Sequence, residues 1–132
     1  MALGVSQSAK DLMPMAVLGR SGLIVSRLSY GAWVSFSNQV GLEGKTDSSN
    51  TESEGAYTLM LEAFRNGVNF FDNAEVYADG KAEIIMGQAI QKGIAAGDWT
   101  REDLVISTKL FFGSGKSGPN LKGLSRKHIV EG

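Results

Sequence analysis

Apolar residues fall into two patterns along the 132-residue chain, short unbroken runs and helical stripes, and their alternation predicts the architecture. Tyr57, Met60, Leu61 and Phe64 recur at i, i+3, i+4 and i+7, one face of a helix, with Thr51 and Glu54 at capping-box spacing and Asn66-Gly67 as the stop. Ala82, Ile85, Met86, Ala89 and Ile90 repeat that spacing and predict a second amphipathic helix beginning near Asp79 or Gly80. Three runs read as buried strands: LSYGAWV at 28–34, residues 68–71 ending at Asp72, and LVIST at 104–108 reaching Lys109. Val17-Leu18 and Leu23-Ile24-Val25 flank the turn signal Gly19-Arg20-Ser21-Gly22, which predicts a small hairpin. Ser125 is placed as an N-cap, with Leu124 and Ile129 as its hydrophobic staple, so a third helix starts near the last residues.

Residues 1–16 carry no sustained period and read as a flexible leader; residues 37–55 form a polar Gly/Ser/Asp loop, long for a compact domain. Strand, helix, strand, helix, strand and a helix start argue for a parallel sheet wound by right-handed crossovers. A closed (β/α)₈ barrel needs roughly 250 residues, and a doubly wound sheet commonly uses five or six strands. Three strands therefore read as the N-terminal portion of something larger.

Composition narrows the chemistry. Thirteen Lys and Arg against fourteen Asp and Glu leave a net charge of −1, with no excess of positive charge to draw the molecule to nucleic acid or an acidic membrane surface. With no Cys there is no disulfide, thiolate nucleophile or cysteine zinc site, and the single His128 is expected to be solvated or capping. No run of about 18 apolar residues and no secretory pattern appears, so a cytoplasmic protein that is not embedded in a membrane is the expectation.

In parallel α/β folds functional groups gather at the carboxyl ends of the strands, because the loops there share one rim. Trp33 follows the first strand, Asp72 ends the second with Tyr77 five residues on, and Lys109 follows the third. An ammonium beside a phenol stabilises the phenolate left when the proton departs, and a carboxylate holds and neutralises the ammonium. Such a phenol can protonate a carbonyl oxygen as hydride reaches the carbon. Each residue alone also has an ordinary reading as cap, half-buried ring or solvated charge; their placement on successive strands raises the chemical one. If the rim is largely buried, breaking the Asp72–Lys109 pair would cost about 3–5 kcal/mol.

The segments LGRSGLIVSRLSYGAWV, GVNFFDNAEVYADGKAEIIMG, LVISTKLFF and GLSRKHIVEG resemble the N-terminal third of the aldo-keto reductases, most closely the branch containing the voltage-gated potassium channel beta-subunits and their microbial and plant relatives. The resemblance runs from about Leu18 to Glu131, and residues 70–87 are its most specific stretch. It implies an α/β fold, the N-terminal part of a (β/α)₈ TIM barrel with about three βα units plus the hairpin. Residues 17–132 would then be an incomplete barrel domain. It also implies NADPH as cofactor and aldehydes or ketones as small carbonyl substrates. By motif, Asp72 and Lys109 form the supporting ion pair and Tyr77 is the proton donor, while Ala32, Trp33, Gln39 and Asp72 contact the cofactor. The alternative implied function is a cofactor-binding regulatory beta-subunit with slow reductase activity, with a channel or a second copy as partner in the full-length parent.

This sequence departs from the family pattern in two places. Ala32 stands where Thr is usual, which removes a hydroxyl but leaves the backbone able to serve, and the loop between Gln39 and Tyr57 is roughly ten residues longer than in the relatives. A fourth polar group of the family, His or Asn, would lie on the next strand, beyond residue 132. The G-x-G-x-x-G match at residues 113–118 is set aside, because Pro119, Asn120 and Gly123 delay the helix to Ser125. Gly115-Lys116-Ser117 lacks the first glycine of a phosphate loop, that position being Leu110. Trp99, before the third strand, is expected to pack under a loop.

Overall fold

A computed structural model describes residues 9–36 and 50–132. In chain order the elements are α1 (Ala9–Leu12), β1 (Met15–Val17), β2 (Ile24–Ser26), β3 (Tyr30–Gly31), α2 (Ala32–Ser35), α3 (Asn50–Arg65), β4 (Phe70–Asp72), α4 (Lys81–Ala96), β5 (Val105–Ser107) and α5 (Arg126–Glu131). β1 and β2 form the antiparallel hairpin, closed at Gly19-Arg20-Ser21-Gly22 by the Leu18 N–H donating to the Leu23 carbonyl at 2.8 Å. Part of the stretch read as leader thus forms a helical turn and the first hairpin strand.

β3, β4 and β5 make a parallel sheet in sequence order, with α3 and α4 as the crossovers. The register pairs Gly31 with Asp72 and Asp72 with Ser107, so the carboxyl ends of all three strands fall in one line. That line sets the functional rim.

The run at 28–34 is the clearest departure from the strand expectation. Only Tyr30 and Gly31 pair, and Ala32–Ser35 coils into one helical turn. A short apolar run fits a strand or a buried helical turn equally well; here the turn buries Ala32 in the core and sends Trp33 outward, 69% exposed. The predicted polar loop ends earlier than expected, since residues 50–55 are helical and Thr51 lies inside α3 rather than at its cap. Residues 37–49, including Gln39, lie outside the described residues.

The core lies where the middle strand meets the two long helices. Phe71 is fully buried beneath Met60 of α3 and Ala82, Met86 and Ala89 of α4, the residues that the helical spacing selected. Each large side chain buried in this way contributes roughly 1.5–3 kcal/mol relative to leaving it in water. Trp99 closes the far end: its ring meets Phe64 edge-on at 5.6 Å and Tyr57 at 5.9 Å, and its indole N–H donates to the Ile90 carbonyl at 3.1 Å. It packs on the seam between α3 and α4 rather than merely under a loop. Gly93 permits this, since a Cβ there would stand 2.1 Å from the indole ring.

Ser125 caps α5 as expected, its hydroxyl accepting the His128 N–H at 3.1 Å, whereas Leu124 and Ile129 both stay largely exposed and bury little as a staple. His128 is neither solvated nor capping through its ring. It is buried, with Nε2 3.0 Å from a carboxylate oxygen of Glu75, because the first turn of α5 faces the β4–α4 loop.

Candidate functional site

Strand register brings the chemistry together. Asp72 ends β4 and Lys109 follows β5 by two residues, so both side chains rise from neighbouring strands on one rim. Lys109 Nζ donates to Asp72 Oδ2 at 2.7 Å and Oδ1 at 2.9 Å, and to the Asn73 carbonyl at 2.6 Å, which uses all three ammonium protons. The same ammonium stands 5.0 Å from the centre of the Tyr77 ring. Tyr77 in turn stacks on Trp33, with ring centroids 6.2 Å apart and planes 19° from parallel. Four of the residues singled out from the sequence, Trp33, Asp72, Tyr77 and Lys109, therefore meet. Ala32 sits beside them but points into the core.

Two further residues complete the arrangement. The Ser107 hydroxyl donates to Asp72 Oδ1 at 2.6 Å, and the Asn73 backbone carbonyl takes the third Lys109 proton. Ser107 was legible in principle: residues two apart on a strand share a face, so a serine two positions before Lys109 points to the same rim. Asn73 acts through its main chain, and no side-chain pattern signals that.

Burial alone would push the Asp72 carboxyl up, but hydrogen bonds from Lys109 and Ser107 outweigh it and hold the group below the usual aspartate range. Burial likewise pulls the Lys109 ammonium down, and its hydrogen bonds to Asp72, with the attraction of the neighbouring Tyr77, outweigh this and hold it above the usual lysine value. Lys109 is thus a fixed positive charge near neutral pH, and Tyr77 carries the only O–H in the set that can be handed to an acceptor outside it. The ion pair is less enclosed than a buried rim would make it, with Asp72 and Lys109 side chains 34% and 50% exposed. The cost of breaking it falls accordingly toward that of a surface pair, at most about 1 kcal/mol.

A flat, exposed indole, a phenol and a fixed cation make a donor set that suits a planar ring lying beside a carbonyl group. No group of three or more metal-ligating side chains occurs among the described residues.

The parallel βα units that carry this rim define an α/β barrel class, and comparison with known proteins gives the family. The profile of the Aldo/keto reductase family matches residues 27–132, and the chain belongs to that family. It is 57% identical over 116 residues to a protein of Oryza sativa subsp. japonica described as a probable voltage-gated potassium channel subunit beta, covering 87% of this chain and 30% of that protein. A protein of the same description from Arabidopsis thaliana is 56% identical over 115 residues, covering 87% of this chain and 30% of its own. Among solved structures, an aldo-keto reductase from Bacillus halodurans in its holo form superposes with a TM-score of 0.60 at 29% identity, over 90% of this chain and 33% of that one. The chain thus spans about 30% of the length of these curated relatives. Its hairpin and parallel βα units match the corresponding part of aldo-keto reductase barrels. Reductases of this family typically use NAD(P)H. Among the described residues no helix is long and apolar enough to cross a membrane.

Proposed function

We propose that this chain supplies the proton-donating half of an NADPH-dependent carbonyl reductase, with residues 17–132, joined by the start of the hairpin at Met15, forming the first part of its barrel. The supporting observation is the simultaneous contact of Lys109 with both oxygens of Asp72, at 2.7 and 2.9 Å, and with the face of Tyr77 at 5.0 Å. Tyr77 gives its proton to the oxygen of an aldehyde or ketone. Lys109 stabilises the phenolate left behind, and Asp72 keeps Lys109 in place and neutral in sum. Trp33, with its exposed ring, Asp72 and the backbone at Ala32 would hold the nicotinamide end of the cofactor, joined by Gln39. The chemistry supplied by NADPH, when bound, is a hydride for the carbonyl carbon. Steady-state reduction of simple aldehydes by the full-length protein, with Tyr77→Phe beside it, is the test. Turnover by the phenylalanine variant equal to the unmodified protein would remove Tyr77 from the reaction.

The 57% identity to a protein described as a channel beta-subunit supports a second reading, a cytoplasmic regulatory subunit whose reductase step is slow. Capture of the full-length protein by a potassium-channel cytoplasmic domain, together with negligible aldehyde turnover, would favour it over the first.

A further inference from the structure

One buried carboxylate on the rim has no part in the proton transfer above. Glu75 lies three residues after Asp72 and two before Tyr77, and is only 5% exposed. Its Oε1 accepts the backbone N–H of Phe111 at 2.5 Å and of Gly113 at 2.7 Å. His128 Nε2 stands 3.0 Å from Glu75 Oε2, and the Glu75 backbone N–H donates to the Lys109 carbonyl at 3.2 Å. Three of these four contacts fall on residues 109–113, the stretch that leaves the sheet carrying Lys109; the fourth ties in the first turn of α5.

The facing stretch needs such support. Directly after Tyr77 the backbone turns left-handed at Ala78 and Asp79, with φ of 50° and 54°, a conformation that L-residues rarely adopt. Strained turns persist where their surroundings over-determine them. Here the loop held by Glu75 presses back on the turn: a Cβ at Gly115 would come within 2.7 Å of Asp79 Oδ1, and one at Gly80 within 3.2 Å of the Ser114 Cβ. Two segments far apart in sequence, one bearing Tyr77 and one bearing Lys109, are thus interlocked around a single carboxylate.

We propose that Glu75 is a positioning residue that fixes Lys109 against Tyr77 by clamping the backbone of residues 109–113 to the turn of residues 75–80. Burial alone would push its carboxyl up, but the Gly113 and Phe111 N–H groups and His128 outweigh this and hold it below the usual glutamate range, so it stays an anionic acceptor at neutral pH. The inference rests on the reductase reading for its effect on turnover and on the geometry alone for its effect on Lys109.

The test uses Glu75→Ala and Glu75→Gln in the full-length protein. Alanine removes the clamp, and glutamine keeps an acceptor oxygen for the two N–H groups. Glu75→Ala is expected to lower kcat for a simple aldehyde by about 10²-fold, the scale of a small misplacement in an active site. KM and NADPH affinity should stay within about threefold, because binding contacts are untouched. Glu75→Gln should recover most of the loss. In ¹³C-lysine NMR titrations of the same proteins, Lys109 should move toward the ordinary lysine value in Glu75→Ala, whose partners Asp72 and Tyr77 are unchanged. Unaltered kcat in Glu75→Ala, or equal losses in the two variants, would overturn the clamp. So would an unchanged Lys109 titration in folded Glu75→Ala, whatever the turnover. A Tyr77→Phe variant as active as the unmodified protein would instead sink the reductase reading and leave the Lys109 titration to decide on Glu75.

Discussion

Where α3 meets α4 the contact is made by shape: Met60 and Ala89 are wholly buried, and the indole of Trp99 occupies the space that a side chain at Gly93 would need. At the strand ends the contact is made by charge: Asp72, Ser107, Lys109 and the Asn73 carbonyl satisfy one another by directed bonds while the ion pair remains part-exposed. The first arrangement is sensitive to changes of volume, and none of these four residues titrates. The second tolerates changes of volume and depends on which atoms carry protons. The seam therefore carries the stability of these residues and the rim carries their chemistry, and variants should separate the two.

The largest effect is expected at the rim. Tyr77→Phe and Lys109→Met should each lower carbonyl reduction by at least about 10²-fold with little change in denaturant midpoint; a matching loss of stability would mean that the two regions are not separable. Next comes the seam. Met60→Ala should cost about 2–5 kcal/mol in denaturant melts and leave kcat of the folded protein unchanged. Gly93→Ala gains helix propensity but forces the Trp99 ring aside, and a net loss of about 1–3 kcal/mol is expected; a stabilised variant would show that the indole has room to move.

Smaller still is the stability effect of Lys109→Met, no more than about 1 kcal/mol for a pair this exposed, and a loss several times larger would show a rim more enclosed than side chains 34% and 50% exposed allow. The smallest concerns acid. Asp72 and Glu75 both titrate below their ordinary values of 3.8 and 4.5, so their stabilisation is fully present above those values and is lost as pH falls through the lower, folded ones. Unfolding midpoints measured downward from pH 5 should fall for the unmodified protein and fall less steeply for Glu75→Gln. Equal slopes would show that Glu75 is not bound as an anion.

The seam was almost wholly legible in the sequence, because helical spacing states which face is buried without reference to any partner. Tyr57, Met60, Phe64, Ala82, Met86 and Ala89 turn inward as the pattern requires. The rim was legible in part. Asp72, Tyr77 and Lys109 could be placed at strand ends by counting, and the resemblance gave them roles, but residues 32–34 read as strand because a short apolar run has no period long enough to decide. Glu75 and His128 were missed as a pair for a different reason. They stand 53 residues apart, and neither residue type shows that it is buried until α5 is packed against the β4–α4 loop. Polar contacts of long range leave no mark on local pattern, whereas apolar ones leave a stripe.

The fit of Gly93 to Trp99 has a consequence for how this sequence can drift. With the indole in place, position 93 admits no side chain, and with any larger residue at 93 position 99 must shrink or turn, so neither site is free to change first. Along the lineage of such chains the two positions should be replaced together or not at all, and the five residues between them should vary without that restraint.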